Sequence, residues 1–266
     1  MVPTGARPGA VAAAIALLRR TVDEASGFAP FVIVSFRVLR GGVLPELISA
    51  SETAGMLVVG GRGGTEDERD GRPLSRPIAA EAVCPVVVVP DTDRLFAHGV
   101  ALGVEDSPSG RAAGAFAGEE AASLGQRLTL VRAWRADGVH DESRRVAVLE
   151  GSARRDAGHL LDRVRDSAGH LHPEIPIDIR NIHGAVAHVL VRSSAHAQLL
   201  VLGVARPAPG ARPMLGAVGT AALRHMRAPI AFVHAALPED PHWEDAMWEG
   251  WADRVVEAPG FRRGTP

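Results

Sequence analysis

The chain has 266 residues, of which 46% are apolar, with a formal net charge of −2 at pH 7 and one cysteine. This length suits two domains of ordinary size, and the apolar content excludes wholesale disorder. The near-zero charge gives no bulk attraction to nucleic acid or to an anionic membrane. The lone Cys84 cannot form an intramolecular disulfide, which favours a reducing cytoplasm. No long apolar run precedes Val11, so neither a signal peptide nor a spanning helix is predicted there.

The first part of the chain carries three helical and three strand-like patterns. Apolar spacing predicts helices over 11–25, 43–49 and 74–82, and β-branched runs predict strands over 32–39, 56–59 and 86–89. The strand at 56–59 has no polar alternation, so we expect both of its faces to be buried in a parallel sheet.

The rest of the chain alternates strands and helices more regularly. Strands are predicted over 99–104, 128–134, 175–182, 199–203 and 230–233, with helices over 109–124, 143–168, 185–192 and 215–226. Five strands alternating with four helices are typical of a doubly wound parallel α/β sheet. The functional crevice of such a sheet lies at the strands' carboxyl ends, here near Glu105 and Gly203.

Two short patterns occur twice in this chain. Residues 51–60 are echoed at 194–203, an offset of 143, and residues 84–89 at 228–233, an offset of 144. This self-similarity predicts two tandem α/β units, 1–92 and 97–236, followed by a tail at 237–266. The first unit has no counterpart of 99–134, so we expect it to lack its first two strands. A start site placed too late explains that lack more simply than the loss of central strands.

Four segments carry a family resemblance. They are AGMLVVGGRGG at 54–64, CPVVVV at 84–89, GVEDSP at 103–108 and AQLLVLG at 197–203. With them the chain resembles the universal stress protein family, in the tandem form common in actinomycetes, over about residues 10–236. The resemblance implies two Rossmann-like domains and a cytoplasmic role in the stress response by binding or signalling, without catalysis. It also implies that final strands such as 86–89 pair across a two-fold axis, either between the two units or in a homodimer.

As the resemblance implies, ATP-binding members of the family carry a segment like G-x2-G-x9-G-[ST] after the fourth strand, and an aspartate at the end of the first strand. Glycines there let backbone N–H groups approach the phosphates. In the first unit Arg72 and Pro73 stand where Gly-Ser is expected, and proline has no N–H to donate. The candidate nucleotide-binding residues of this unit are Gly60, Gly63, Gly64, Gly71 and Ser75.

The second unit keeps the spacing of the motif but changes its residues. Arg206 replaces the second glycine and Ala217 replaces the hydroxyl residue, although Arg206 or Arg212 can contact an anion directly. The candidate residues here are Glu105, Asp106, Gly203, Arg206 and Gly216. ATP is therefore the candidate cofactor of a degenerate site, and a nucleotide-binding protein with weak ATPase activity stays open as the alternative.

Other chemistry finds little support in the sequence. The eleven histidines show no compact metal-binding spacing, and no G-x-S-x-G segment supports a catalytic serine, so we predict neither a metal site nor catalytic residues. Cys84 precedes a proline and an apolar strand, which is typical of a small buried residue.

The tail offers a further alternative, a protein-interaction module that binds no nucleotide. Trp243, Met247, Trp251 and Val255 are spaced four apart and form one helical stripe, with acidic residues on the other face. The stripe needs a partner, either the body of the protein or another subunit. Its acidic character disfavours an anionic membrane.

Overall fold

The computed structural model describes residues 9–39, 41–61, 73–91, 97–135, 143–207 and 210–235, with backbone only over 143–150. Its helices are α1 (Ala10–Phe28), α2 (Val43–Ser51), α3 (Ser75–Glu81), α4 (Pro108–Ser123), α5 (Ser143–Leu171), α6 (Val186–Ser193) and α7 (Ala217–His225). Its strands are β1 (Leu57–Gly60), β2 (Val86–Val89), β3 (Val100–Gly103), β4 (Leu128–Trp134), β5 (Ile177–His183), β6 (Leu199–Val204) and β7 (Ile230–His234).

The described strands form one sheet in the order β1-β2-β7-β6-β3-β4-β5. All neighbours run parallel except β2 and β7, which pair antiparallel. The α/β class and the predominantly parallel sheet are confirmed. The two units share this sheet, with the second contributing five strands and the first contributing two.

The sequence repeat is preserved in the strand register. In the first unit Leu57 pairs with Val86, and in the second Leu200 pairs with Ile230. These pairs are related by the same offsets, 143 and 144, that relate the repeated sequence segments. The equivalent strands of the two units are therefore aligned with each other in the same way.

The core lies on both faces of the sheet. One cluster packs β3, β4 and β6 against α4 and α5, with side chains such as Leu102, Leu130 and Leu161. The cluster on the opposite face contains Ile78 and Phe232 together, so it draws on both units. The buried side chains of the first unit thus depend on the second unit for their cover.

Two expectations for the first unit were wrong. No strand forms over 32–39, because no described strand offers it a partner, and Ile33 is 98% exposed there. The prediction that 56–59 is buried on both faces also fails, since β1 alternates and Val58 is 64% exposed. The strand β1 ends the described sheet, so only one of its edges is paired.

Most other predicted elements shift only at their ends. The longest helix continues to Leu171, three residues beyond its predicted end, and α7 begins two residues late, at Ala217. Element ends depend on capping and local packing, which periodicity does not specify. Across the described ranges, no helix combines the length and apolar content that crossing a membrane requires.

Candidate nucleotide site

The candidate site lies where the strand order reverses. Strands β3 and β6 are parallel neighbours, and the chain leaves β3 toward β4 on one side but returns through β6 on the other. Their carboxyl ends bring together Glu105 and Asp106 after β3 with Gly203 and Arg206 at the end of β6. This is the switch point at which open α/β sheets bind ligands.

The carboxylate of Asp106 already has basic partners. The Arg163 Nη2 atom, on α5, donates to Asp106 Oδ2 at 3.1 Å, and Arg111 Nη1, on α4, lies 3.7 Å from Oδ1. Asp106 therefore links α4 to α5. The preceding residue, Glu105, is exposed. Of the two carboxylates expected at this edge, Glu105 is the one more open to a ligand.

A small apolar cavity lies beneath Asp106, between α4 and α5. Its volume is about 40 Å³, against about 10–15 Å³ needed on the same measure to hold one water molecule. The residues around it include Leu102, Val104, Gly110, Gly114, Leu160 and Val164.

Gly203 is required by packing. A Cβ atom at this position would lie 2.7 Å from the backbone carbon and oxygen of Ser109, in the first turn of α4. That turn is fixed by Ser107, whose Oγ accepts a hydrogen bond from the Gly110 N–H at 2.9 Å. Close helix–strand approach thus accounts for the glycine without any phosphate.

Two polar side chains around the phosphate loop, Arg206 and Thr220, bond to backbone carbonyls. The Nε atom of Arg206 donates to the Ala235 carbonyl oxygen at 2.8 Å. Thr220, in the first part of α7, donates its hydroxyl to the Leu215 carbonyl at 3.0 Å. Arg212, the other predicted anion contact, lines a cavity of about 520 Å³ together with Glu81. That acidic residue opposes the binding of phosphate there.

The start of α7 lacks the features of a phosphate site. Gly216 is the residue before the helix, and a Cβ atom there would meet nothing within 4 Å. Neither packing nor a positive φ therefore requires this glycine. The next residue, Ala217, has no hydroxyl. The second unit thus keeps the spacing of the motif but lacks the groups that would bind phosphate.

Only part of the first-unit site lies in the described structure. Gly60 ends β1, and a Cβ atom there would also meet nothing within 4 Å. Ser75 begins α3 and is buried. Gly63, Gly64 and Gly71 lie outside the described residues, so their predicted roles remain predictions.

Three arginines near the switch point were missed by sequence reasoning. Besides Arg111 and Arg163, Arg132 on β4 donates from Nη1 to the Val104 carbonyl at 2.8 Å. Arg163 lies 57 positions from Asp106, so no local spacing connects the two residues. An arginine on a long polar helix carries no signal of its own.

Burial shifts the pKa of three described side chains, Glu120, His234 and Cys84, and it raises the pKa of the Glu120 carboxyl together with the charge of Glu119. Burial, followed by the charge of Arg206, lowers the pKa of His234 to about 4. The Ala80 backbone offsets a little of that shift, although neither ring nitrogen forms a hydrogen bond of normal geometry with a described group. Burial likewise raises the pKa of the Cys84 thiol, which keeps it protonated. Within the described residues, no group of three or more His, Cys, Asp or Glu side chains is arranged to hold a metal ion.

A doubly wound sheet with a glycine-ended strand at its switch point defines the Rossmann-like class of α/β proteins. The family model described as the universal stress protein family matches residues 98–234, about half of the chain. The chain therefore belongs to the universal stress protein family.

Curated relatives agree with this assignment. A universal stress protein from Mycobacterium bovis is 29% identical over 194 residues, which is 70% of this chain and 64% of that protein. A universal stress protein from Mycobacterium tuberculosis is 26% identical over 223 residues, covering 82% of this chain and 74% of that protein. The match thus spans less than two thirds of the length of the first of these relatives.

Solved structures share the fold. A universal stress protein from Archaeoglobus fulgidus superposes with a TM-score of 0.58 at 16% identity, covering 85% of this chain and 77% of that one. A Pseudomonas aeruginosa protein of unknown function gives a TM-score of 0.54 at 15% identity, covering 95% and 85%. At this identity the likeness concerns the fold alone.

Proposed function

We propose that this chain serves the stress response by binding or signalling in the cytoplasm, without catalysis, and that its second-unit site does not hold ATP with useful affinity. One observation carries the proposal. Two of the charged groups at the switch point, Asp106 and Arg206, are bonded within the protein.

Releasing Arg206 has an energetic cost. A part-buried hydrogen bond that involves a charged group contributes about 1.5–3 kcal/mol, whereas the exposed bridge of Asp106 contributes less than about 1 kcal/mol. Turning the Arg206 guanidinium so that its Nε–H faces a phosphate gives up the bond to the Ala235 carbonyl. The missing hydroxyl at Ala217 removes another phosphate contact. The free energy gained by binding the triphosphate would therefore barely exceed the free energy lost when the internal bonds are broken.

Thermal denaturation with added Mg-ATP tests the proposal directly. A ligand at 100 times its dissociation constant stabilises the folded state by about 2.7 kcal/mol, which raises the melting temperature by several degrees. We expect no saturable rise at millimolar Mg-ATP. A saturable rise would contradict the proposal.

A gain-of-binding variant provides the matched control. Arg206→Gly with Ala217→Ser restores the second glycine and the hydroxyl of the motif. If the changed loop is the obstacle, this double variant should bind ATP at least about tenfold more tightly than the native chain, a difference of 1.4 kcal/mol. Arg212→Gly, which restores no motif position, should leave ATP binding as it is. Equal ATP binding by all three proteins would show that the loop is not what decides affinity.

The alternative, nucleotide binding with weak ATPase activity, has one observation in its favour. Glu105 is exposed at the switch point, where a carboxylate can accept hydrogen bonds from ribose hydroxyls. Phosphate release from Mg-ATP, compared between the native chain and Glu105→Gln, examines it. Turnover that Glu105→Gln lowers would favour the alternative over a purely binding role.

The interaction-module alternative concerns the Trp stripe at 241–256, which lies outside the described residues. Its test is a chain ending before Pro241, examined for its oligomeric state and partner binding. A change in either would implicate the tail. No change would leave binding or signalling to the two α/β units.

A further inference from the structure

Charge is divided unevenly over the last third of the chain. No acidic residue occurs between Asp178 and Glu239, although arginine recurs throughout that stretch. The balance then reverses, because residues 239–253 contain tryptophans and acidic residues but neither arginine nor lysine. Their acidic residues are Glu239, Asp240, Glu244, Asp245, Glu249 and Asp253. A basic stretch followed at once by an acidic one indicates attraction between the two.

The basic stretch forms a surface on one side of the sheet. Helices α6 and α7 pack against each other, and both contribute to the core cluster that contains Phe232. Four arginines on these helices or in the flanking loops are exposed, and none forms an ion pair with a described residue. They are Arg192, Arg212, Arg224 and Arg227. We call these arginines, together with Met214 and Val218 at the start of α7, the α6–α7 face.

The α6–α7 face also offers apolar contact. Met214 and Val218 are 69% and 37% exposed. Arg212, Pro213 and Met214 line the cavity of about 520 Å³ together with Glu81. Ligand pockets typically measure about 300–1,000 Å³, so this cavity has room for an indole ring. The Glu81 carboxylate can accept the hydrogen bond that a buried indole N–H requires, and a methionine sulfur packs favourably against an aromatic ring.

The chain leaves the described body beside this face. Strand β7 ends at the edge of the sheet at which α7 begins, because a crossover helix runs antiparallel to the strands that it joins. The residue after β7, Ala235, accepts the hydrogen bond from Arg206. The chain from Arg206 to Arg212 spans at most about 22 Å, and the chain from Ala235 to Trp243 extends to about 29 Å. The first tryptophan after β7 can therefore reach the cavity.

We propose that residues 239–253 fold back over the α6–α7 face of the same chain as a strap, with Trp243 in the cavity beside Met214. The strap follows α7 in the direction of that helix. Its later acidic residues, Glu249 and Asp253, then lie against the last turn of α7. While bound, the strap keeps other anions from the arginines of the face.

The dimensions and the connection favour this occupant. If helical, as their spacing predicts, residues 239–253 extend about 22 Å, whereas α7 extends about 13 Å. The strap is therefore long enough to reach Arg224 and Arg227 at the far end of α7. Its link to Ala235 is short, so its effective concentration at the face is on the order of millimolar, above that of a separate anionic partner.

Acrylamide quenching of tryptophan fluorescence in the full chain tests the strap. In a Trp134→Phe chain the remaining tryptophans, Trp243, Trp248 and Trp251, all belong to residues 239–253. Acrylamide must touch an indole ring to quench it. We therefore expect these tryptophans to be quenched less strongly than free N-acetyltryptophanamide.

Reversing charges on the face should remove that protection. In the Trp134→Phe chain, Arg224→Glu with Arg227→Glu should raise the quenching constant at least about twofold, because like charges then oppose each other. The matched control, Arg154→Glu with Arg155→Glu, reverses two exposed arginines on α5, whose core contacts lie on the opposite face of the sheet. This control should leave the quenching constant unchanged. Since all four arginines are exposed, both double variants should keep the native circular dichroism.

A charge swap separates lost attraction from a changed fold. Glu249→Arg with Asp253→Arg, added to Arg224→Glu with Arg227→Glu, should restore the protection. A swap without restoration contradicts the proposed pairing. Tryptophans as open to acrylamide as the free compound, or equal quenching in the two arginine double variants, overturn the proposal. So does protection that increases with chain concentration from about 1 to 100 µM, because it would place the strap on a second copy.

Discussion

The two units repeat the same pair of parallel strands, yet they bury them very differently. In the second unit β6 is almost wholly buried, because β3 and β7 flank it and helices cover it. Its counterpart β1 has one neighbour and an exposed Val58. A sequence such as Leu-Val-Val-Gly therefore favours strand formation, but the neighbouring elements determine how much of the strand is buried.

The largest expected effect comes from truncating the shared core. Phe232, on β7, is fully buried, so Phe232→Ala should lower the free energy of unfolding by about 3–5 kcal/mol, through lost burial and a new cavity. Val58→Ala on the first unit's edge should change it by less than about 0.5 kcal/mol. Urea denaturation measures both. Similar losses in the two variants would break the contrast between the units.

The next effect depends on pH. His234 has a pKa of about 4 in the folded chain and 6.5 when unperturbed, so the unfolded chain takes up its proton first as pH falls. The free energy of unfolding is therefore highest above about pH 6.5, where this side chain is neutral in both states. It falls by at most about 3 kcal/mol as the pH drops toward 4. His234→Gln should flatten this part of the profile in urea denaturation at several pH values. An unchanged decline would show that other groups cause it.

Equivalent glycines give a smaller and sharper comparison. Gly203→Ala pushes a methyl group against the α4 backbone and should cost about 1–3 kcal/mol. Gly60→Ala, at the matching position of the first unit, meets open space and should be neutral or stabilise by up to about 1 kcal/mol. Melting temperatures of the two variants, each compared with the native chain, measure both effects. A costly Gly60→Ala would mean that the edge strand is more tightly packed than described.

The smallest expected effect is on the surface of the second unit. Arg163→Gln breaks the exposed bridge to Asp106 and should cost less than about 1 kcal/mol. Arg127→Gln, which breaks the similarly exposed bridge to Asp178, is the matched control. Both losses should shrink at high salt, as measured by urea denaturation. A loss of several kcal/mol from Arg163→Gln alone would mean that linking α4 to α5 matters more than its exposure suggests.

The contrast between the units also explains what the sequence could predict. Every strand of the second unit has a pairing partner. The five strands and four helices that periodicity predicts for this unit therefore all form. The segment 32–39 has the composition of a strand but no described partner. Composition does not determine whether a partner strand is available. The joining of both units in one sheet depends on contacts between distant segments.

The candidate site divides in the same way. The carboxyl ends of β3 and β6 could be placed from strand order alone, which located Glu105 and Gly203. The bonding of Asp106 to Arg163 and of Arg206 to Ala235 could not, because each depends on how helices and loops meet in space. Motif spacing also could not show that Gly203 serves packing.

The antiparallel junction of β2 and β7 has a consequence for synthesis on the ribosome. Val86 pairs with Phe232, so the early strand β2 emerges long before its neighbour on that side exists. Contacts so distant along the chain form slowly, and unpaired apolar strands are prone to aggregate. Although β1 can pair with one edge of β2 early, the other edge must stay unpaired until nearly the whole polypeptide has been made.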